Sequence, residues 1–410
     1  MHLLPVVAAS LKQGGRATGI MRAMNPPARV LPALVLAQLL GTSPWFAVNA
    51  VMPDLQRDYG WPVADAGTLT SAVQAGFILG TLVSALLAVA DRFSARRVFL
   101  LCALASAACT LAAAASASSF TALWAWRAAT GFCLAGIYPV GMKIASQWFP
   151  QGLGAALGLL VGALVVGTAS PHALRAMGAT WPWTWVFVGV AGASVAGGLL
   201  VLLAIPEPAA RPSGRGAGVH LSDLASLWTD RQVRASVFGY FGHMWELYSM
   251  MVLVPLILAT RLQGAALSWG AFAVIGAGAL GCAGGGALVR RWGSARVAGV
   301  QLATSGLCAL AAPWLLGAGD AAFALWLLLW GVTVAGDSPQ FSALTAANAP
   351  RQSVGSVLTL TNCLGFAISI VSIQLFSHSA QAAPLAAVLP WLAVGPALGL
   401  WMLWPLLQRS

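Results

Sequence analysis

Apolar stretches of about 20 residues recur along the whole chain, each broken by charge, proline or glycine. A helix of that length rises far enough, at about 1.5 Å per residue, to cross a hydrocarbon core of about 30 Å. The runs are rich in Leu, Ala and Gly and do not alternate, which excludes the ~10-residue alternating strands of a membrane barrel. Their boundaries predict spans at 31–52, 66–90, 97–117, 120–144, 153–173 and 183–204, then at 234–259, 267–289, 295–317, 321–346, 353–377 and 385–407. The expected fold class is an all-α membrane protein of twelve spans. The longest polar stretch, 207–233, reads as a cytoplasmic linker between two six-helix halves, 30–206 and 234–410. Residues 1–29 read as a disordered cytoplasmic extension. Their apolar part, 3–9, is short for a signal peptide, and Met21 and Met24 are alternative starts.

Composition supports this reading. Only 8% of residues are charged against 59% hydrophobic, with a mean hydropathy of +0.82, too little polarity to cover a water-soluble globule. The net charge of +11 does not point to nucleic acid, because the basic residues are scattered between spans without stacking aromatics. Twelve spans place both termini on one side. Nearly all Lys and Arg fall on that side, with only Arg57, Arg175 and Arg261 opposite, so both termini are expected in the cytoplasm. Trp45, Trp61, Trp181, Trp183 and Trp185 fall near the expected outer interface, where amphipathic rings gather.

The halves repeat. A shift of 200 residues aligns Gly131, Gly136, Pro139 and Pro150 with Gly331, Gly336, Pro339 and Pro350, and Trp45 with Trp245. The basic turn 91–97 matches 290–296 at a shift of 199. Two parallel halves about an axis along the membrane normal follow, with a binding site between them near the midplane.

Twelve spans as six plus six, with an Asp91-Arg92 turn after span 2 and an echo after span 8, resemble the major facilitator superfamily over about 30–408. The family's turn is matched by Asp91, Arg92 and Arg96, while its two glycines are replaced by Leu87 and Ser94. The resemblance implies a multi-pass transporter of a bacterial inner membrane, and it makes Asp91, Arg92 and Arg96 gating candidates that latch the halves together. Arg127 through Gly131 on span 4 resembles a second motif, associated with proton-coupled members. The Gly-Pro motif of drug antiporters on span 5 is unmatched. Gly154, Gly158, Gly162 and Gly167 there predict close helix packing instead.

Three charges lie inside apolar spans: Arg127 on span 4, Glu246 on span 7 and Asp337 on span 10. Charge at that depth costs about 2.5–3.5 kcal/mol even on the lenient scale, so it faces a wet cavity or a partner. In the resembled fold spans 1, 4, 7 and 10 line the cavity. Arg127 is then an anion anchor, or the partner of Glu246 or Asp337. Glu246 near the midplane suits proton coupling, its alternative being a fixed pair with Arg127. His243, three residues before it, shares that face and could relay a proton or hold substrate. Asp337 and Gln340 form a Pro-broken polar patch, with Tyr138 as the counterpart of Ser338; Asn49 and Trp245 are weaker candidates.

The expected protein is therefore a secondary transporter of a small, anionic solute, coupled to protons and working as a monomer in the bilayer by alternating access. A proton antiporter that exports an amphiphile is the alternative, and a membrane sensor without transport a more remote one. No enzyme is expected, because nucleophile, P-loop and metalloprotease motifs are missing. No cofactor or metal is expected either: Cys102, Cys109, Cys133, Cys282, Cys308 and Cys363 show neither paired nor zinc-like spacing.

Overall fold

The computed structural model describes residues 27–62, 64–149, 153–207, 221–350 and 352–408. The N-terminal extension through residue 26 and most of the linker, 208–220, lie outside them. Among the described residues, eleven helical segments are long and apolar enough to cross a bilayer. One, Gly264–Leu310, runs 47 residues, about twice what a 30 Å core needs. It breaks at Gly293, whose φ of 76° and ψ of 156° suit a residue without a Cβ, at the echo of the basic turn. Taking 264–292 and 294–310 as separate passes gives the twelve expected spans.

Spans 1 to 7 are therefore Val30–Tyr59, Asp65–Leu86, Ala95–Ala115, Phe120–Trp148, Leu153–Met177, Thr184–Ala204 and Arg231–Leu258. Spans 8 and 9 flank Gly293, and spans 10 to 12 are Asp320–Asn348, Val354–Ala382 and Leu385–Leu407. Within the membrane, spans 1, 4 and 10 are interrupted at prolines. Span 1 passes through a 3₁₀ turn at Ser43–Phe46, span 4 restarts at Tyr138–Trp148, and span 10 restarts at Ser338–Asn348. Proline removes a backbone donor, so a carbonyl one turn earlier loses its partner. In span 1 the Ser43 backbone N–H and hydroxyl replace it, both donating to the Leu40 carbonyl, the hydroxyl at 2.8 Å.

The repeated glycines set how closely the helices approach. A Cβ at Gly131 would overlap the Val73 carbonyl of span 2, and one at Gly331 would overlap the Val274 carbonyl of span 8. The same crossing is thus built twice, span 4 on span 2 and span 10 on span 8. In span 5, Gly158 and Gly162 lie against Cys282 and Ala279 of span 8, and Gly167 against Leu39 and Thr42 of span 1. Gly154 faces open space, so the expected packing stripe stops short of it. Trp45 is fully buried and not at an interface, whereas Trp181 and Trp185 are exposed.

Candidate functional site

Where the halves meet, a cavity of about 40 Å³ is lined from spans 4, 5, 7, 10 and 11. Its polar groups are Tyr138, Tyr240, Tyr248, Thr168, Ser338, Ser342 and Asn362, set among Leu, Val and Met side chains and Phe366; no charged side chain lines it. Tyr240 donates its hydroxyl to Asn362 Oδ1 at 2.6 Å, tying span 7 to span 11. Drug-sized ligands need about 300–1,000 Å³, so a solute enters only when the halves part. Of the expected site residues, Tyr138 alone lines this cavity. Ser338 does so as well, while its neighbour Asp337 turns away.

Rings from both halves close the cavity toward the bundle end opposite the termini. Trp45 stacks on Tyr248 and Phe366 at 6.0 and 5.8 Å between ring centres. Phe46 stacks on Tyr248 at 6.3 Å, and Phe77 meets Phe366 at 4.8 Å. The 3₁₀ turn of span 1 presents Trp45 and Phe46 to this septum, and Arg127 holds the turn. Its guanidinium is fully buried and donates to the Pro44 carbonyl at 2.9 Å and to the Trp45 carbonyl. The alternative in which Arg127 pairs with Glu246 or Asp337 is not what the structure holds: neither carboxyl bonds it. Two carbonyls at a helix break take its two terminal nitrogens instead, Nε is buried without a partner, and Arg127 does not line the cavity.

Glu246 and Asp337 occupy separate niches inside the C-terminal half. Glu246 accepts from Trp330 Nε1 and from the Ser305 hydroxyl, each at 2.7 Å, and is 1% exposed. His243 and Glu246 share a helix, yet His243 turns to Asp337, with Nδ1 2.7 Å from Oδ1. Asp337 Oδ2 and His243 Nε2 are buried without partners. Gln340 is buried and lies against Gly285 of span 8 beside Gln301, outside the cavity. Trp245 also points elsewhere, packing on Phe376 and Gly395. The picture of one cation between two carboxyls gives way to two buried acids in one half and a backbone-bound arginine in the other.

Of the gating candidates, one has a described hydrogen bond, and it lies within the N-terminal half. Arg96 donates to the Ile205 carbonyl at 2.6 Å, capping span 6 within its own half, and Arg92 is exposed. Asp91 lies on the short helix Val89–Arg92; its side chain lies outside the described residues. Cross-half hydrogen bonds run instead between spans 2 and 11. Ser369 donates to Gln74 Oε1, and Gln374 Nε2 donates to the Ser71 hydroxyl, both at 2.9 Å.

One charged cluster escaped the sequence reading. Arg175 grips Asp54 with both prongs, at 2.8 and 2.9 Å, and Arg57 reaches Asp54 at 3.1 Å and Asp58 at 3.0 Å. Arg57 and Arg175 counted only as orientation charges, and Asp54 not at all. The available signal was Pro53-Asp54 at the end of span 1, with Arg175 four residues after Pro171.

Comparison with known proteins follows the same lines. Residues 34–373 match the family model described as Major Facilitator Superfamily. A chloramphenicol resistance protein of Streptomyces lividans is 31% identical over 239 residues, covering 58% of this chain and 59% of that protein. The chain thus spans about three fifths of this curated relative. The crystal structure of the human organic anion transporter MFSD10 (TETRAN) superimposes with a TM-score of 0.69 at 16% identity, over 92% of this chain and 99% of that one. At that identity the likeness is one of fold.

Proposed function

Because the chain belongs to the major facilitator superfamily, a family of membrane transporters, we propose that it exports an uncharged, amphiphilic small molecule in exchange for protons. The observation that carries this reading is the lining of the central cavity. Three tyrosines, Phe366, Asn362 and two serines offer rings and neutral hydrogen-bonding groups without a charge. An anionic cargo would need a free cation there, and Arg127 is committed to the carbonyls of span 1. The name of the Streptomyces relative supports outward movement of such a molecule.

Glu246 and the His243–Asp337 pair are the proposed proton carriers, since they are the buried acids beside the cavity helices. The cargo moves in the cavity, and the protons move behind it, within spans 7, 9 and 10. Parting of the halves would expose each group in turn to the two sides. Coupled this way, a gradient of one pH unit sustains up to about tenfold accumulation of a neutral solute per proton exchanged.

Inverted membrane vesicles test this. With the interior acidified, tritiated chloramphenicol should accumulate, collapse on addition of a protonophore, and remain unaffected by excess benzoate. Accumulation of labelled benzoate in place of the neutral compound would restore the anion reading and sink this one.

A further inference from the structure

A second cavity, of about 610 Å³, lies beyond the aromatic septum, at the bundle end opposite the termini. Spans 5 and 7 carry both cavities: Thr168 lines the central one and His172, a turn later, the distal one, while Met251 and Val252 divide between them. Its volume falls within the usual range for a small-molecule site.

The two walls differ in kind. The C-terminal half supplies a mainly apolar wall from Val252, Leu253, Leu256, Leu262 and Leu267, with Gln263, Ser268 and Ser377 at its edge, the Ser377 hydroxyl buried without a partner. The N-terminal half supplies a polar wall from Asn49, Asp54, Arg57, His172 and Arg175. On that wall two buried groups lack partners, Asn49 Nδ2 and His172 Nε2, in side chains 4% and 1% exposed. Asn49 Oδ1 accepts from the Thr70 hydroxyl at 3.1 Å, which turns the amide nitrogen to its free position as a donor. The nearby charges balance, because Arg57 and Arg175 are matched by Asp54 and Asp58.

From these observations we infer that the distal cavity is a second ligand site, which takes an uncharged amphiphile bearing a carbonyl, amide or nitro oxygen. The oxygen accepts from Asn49 and meets His172, and the apolar face lies on span 7. A charged ligand gains nothing from a neutral wall. A purely apolar one leaves both polar groups unpartnered, at a cost of about 1–3 kcal/mol each. The site fits the chemistry proposed for the cargo and stands on its own residues, independently of the central cavity.

Equilibrium binding of tritiated chloramphenicol, an uncharged nitroaromatic amide, to the full chain in nanodiscs tests the inference. Two saturable classes are expected. Asn49→Leu should abolish one while leaving Thr70 bonded to the Ala66 carbonyl, which it already reaches at 2.8 Å. Ala259→Trp, at an exposed position lining the same cavity, should abolish the same class by filling it, with no core residue altered. Ser338→Leu should remove only the central class. A single class insensitive to Asn49→Leu and Ala259→Trp but lost in Ser338→Leu overturns the distal site and leaves the central reading standing. A single class lost only in the two distal variants supports the distal site and overturns the central one. Absence of saturable binding overturns both.

Discussion

Replacing Glu246 by glutamine separates the structural role of this carboxyl from its proposed coupling role. Its oxygens accept from Trp330 Nε1 and the Ser305 hydroxyl, each at 2.7 Å. A glutamine has one acceptor and one donating end. Its oxygen can keep the indole, which has no freedom to reverse. Its nitrogen then faces Ser305, whose hydroxyl can turn to the Leu302 carbonyl at 3.1 Å and accept from the amide. Both neighbours stay satisfied and one amide N–H is left over, so Glu246→Gln should change stability by about 1 kcal/mol. Glu246→Leu offers no such exchange. Ser305 still reaches Leu302, but the fully buried Trp330 N–H is orphaned, at about 1–3 kcal/mol. Thermal melting of the purified variants should therefore rank wild type and Gln together, with Leu clearly below. In proteoliposomes the Gln variant should lose accumulation driven by a pH gradient and retain solute exchange, because an amide releases no proton. Equal destabilisation by Gln and Leu would refute the hydroxyl reversal, and undiminished gradient-driven accumulation by Gln would remove Glu246 from coupling.

Two further predictions follow from the packing. Arg127→Lys keeps a buried charge but can reach only one of the two span 1 carbonyls. It should cost about 1.5–3 kcal/mol and lower the melting temperature, whereas an arginine that merely anchored an anion would tolerate lysine with no loss of stability. Gly131→Ala and Gly331→Ala should each destabilise by about 1–3 kcal/mol by driving a methyl into the Val73 or Val274 carbonyl, while Gly154→Ala, facing open space, stays within about 0.5 kcal/mol. Melting curves of the three variants check this, and equal effects would refute the close-approach argument.

Span positions were legible because the bilayer imposes a length, and a missed pass would have scattered the basic residues over both sides. The repeat was legible because Gly131 and Gly331 answer the same steric demand. What stayed hidden was the facing of side chains around each helix. Knowing that Asp337 sits on a cavity-lining span does not say where it points: successive residues turn by about 100°, so Ser338 reaches the cavity while Asp337 meets His243. The partners of Glu246 were out of reach for another reason, lying 59 and 84 residues away on spans 9 and 10. Arg127 misled because its acceptors are backbone carbonyls, which every residue carries. Nothing in the residue types marks the 3₁₀ turn that turns them toward the guanidinium, apart from Pro44.

The septum of rings also sets a threshold for leakage. Four ring pairs cross between the halves, Trp45 with Tyr248 and Phe366, Phe46 with Tyr248, and Phe77 with Phe366. At about 0.5–1.5 kcal/mol for each pair, their contacts hold the seal with roughly 2–6 kcal/mol. One proton descending one pH unit releases about 1.4 kcal/mol, somewhat less than the weakest such seal. The seal is therefore strong enough to keep idle openings rare and, under the proposed proton exchange, weak enough that a bound solute together with a few protons would part it. Its ring contacts thus act as the valve spring of the cycle, trading tightness at rest against speed in use.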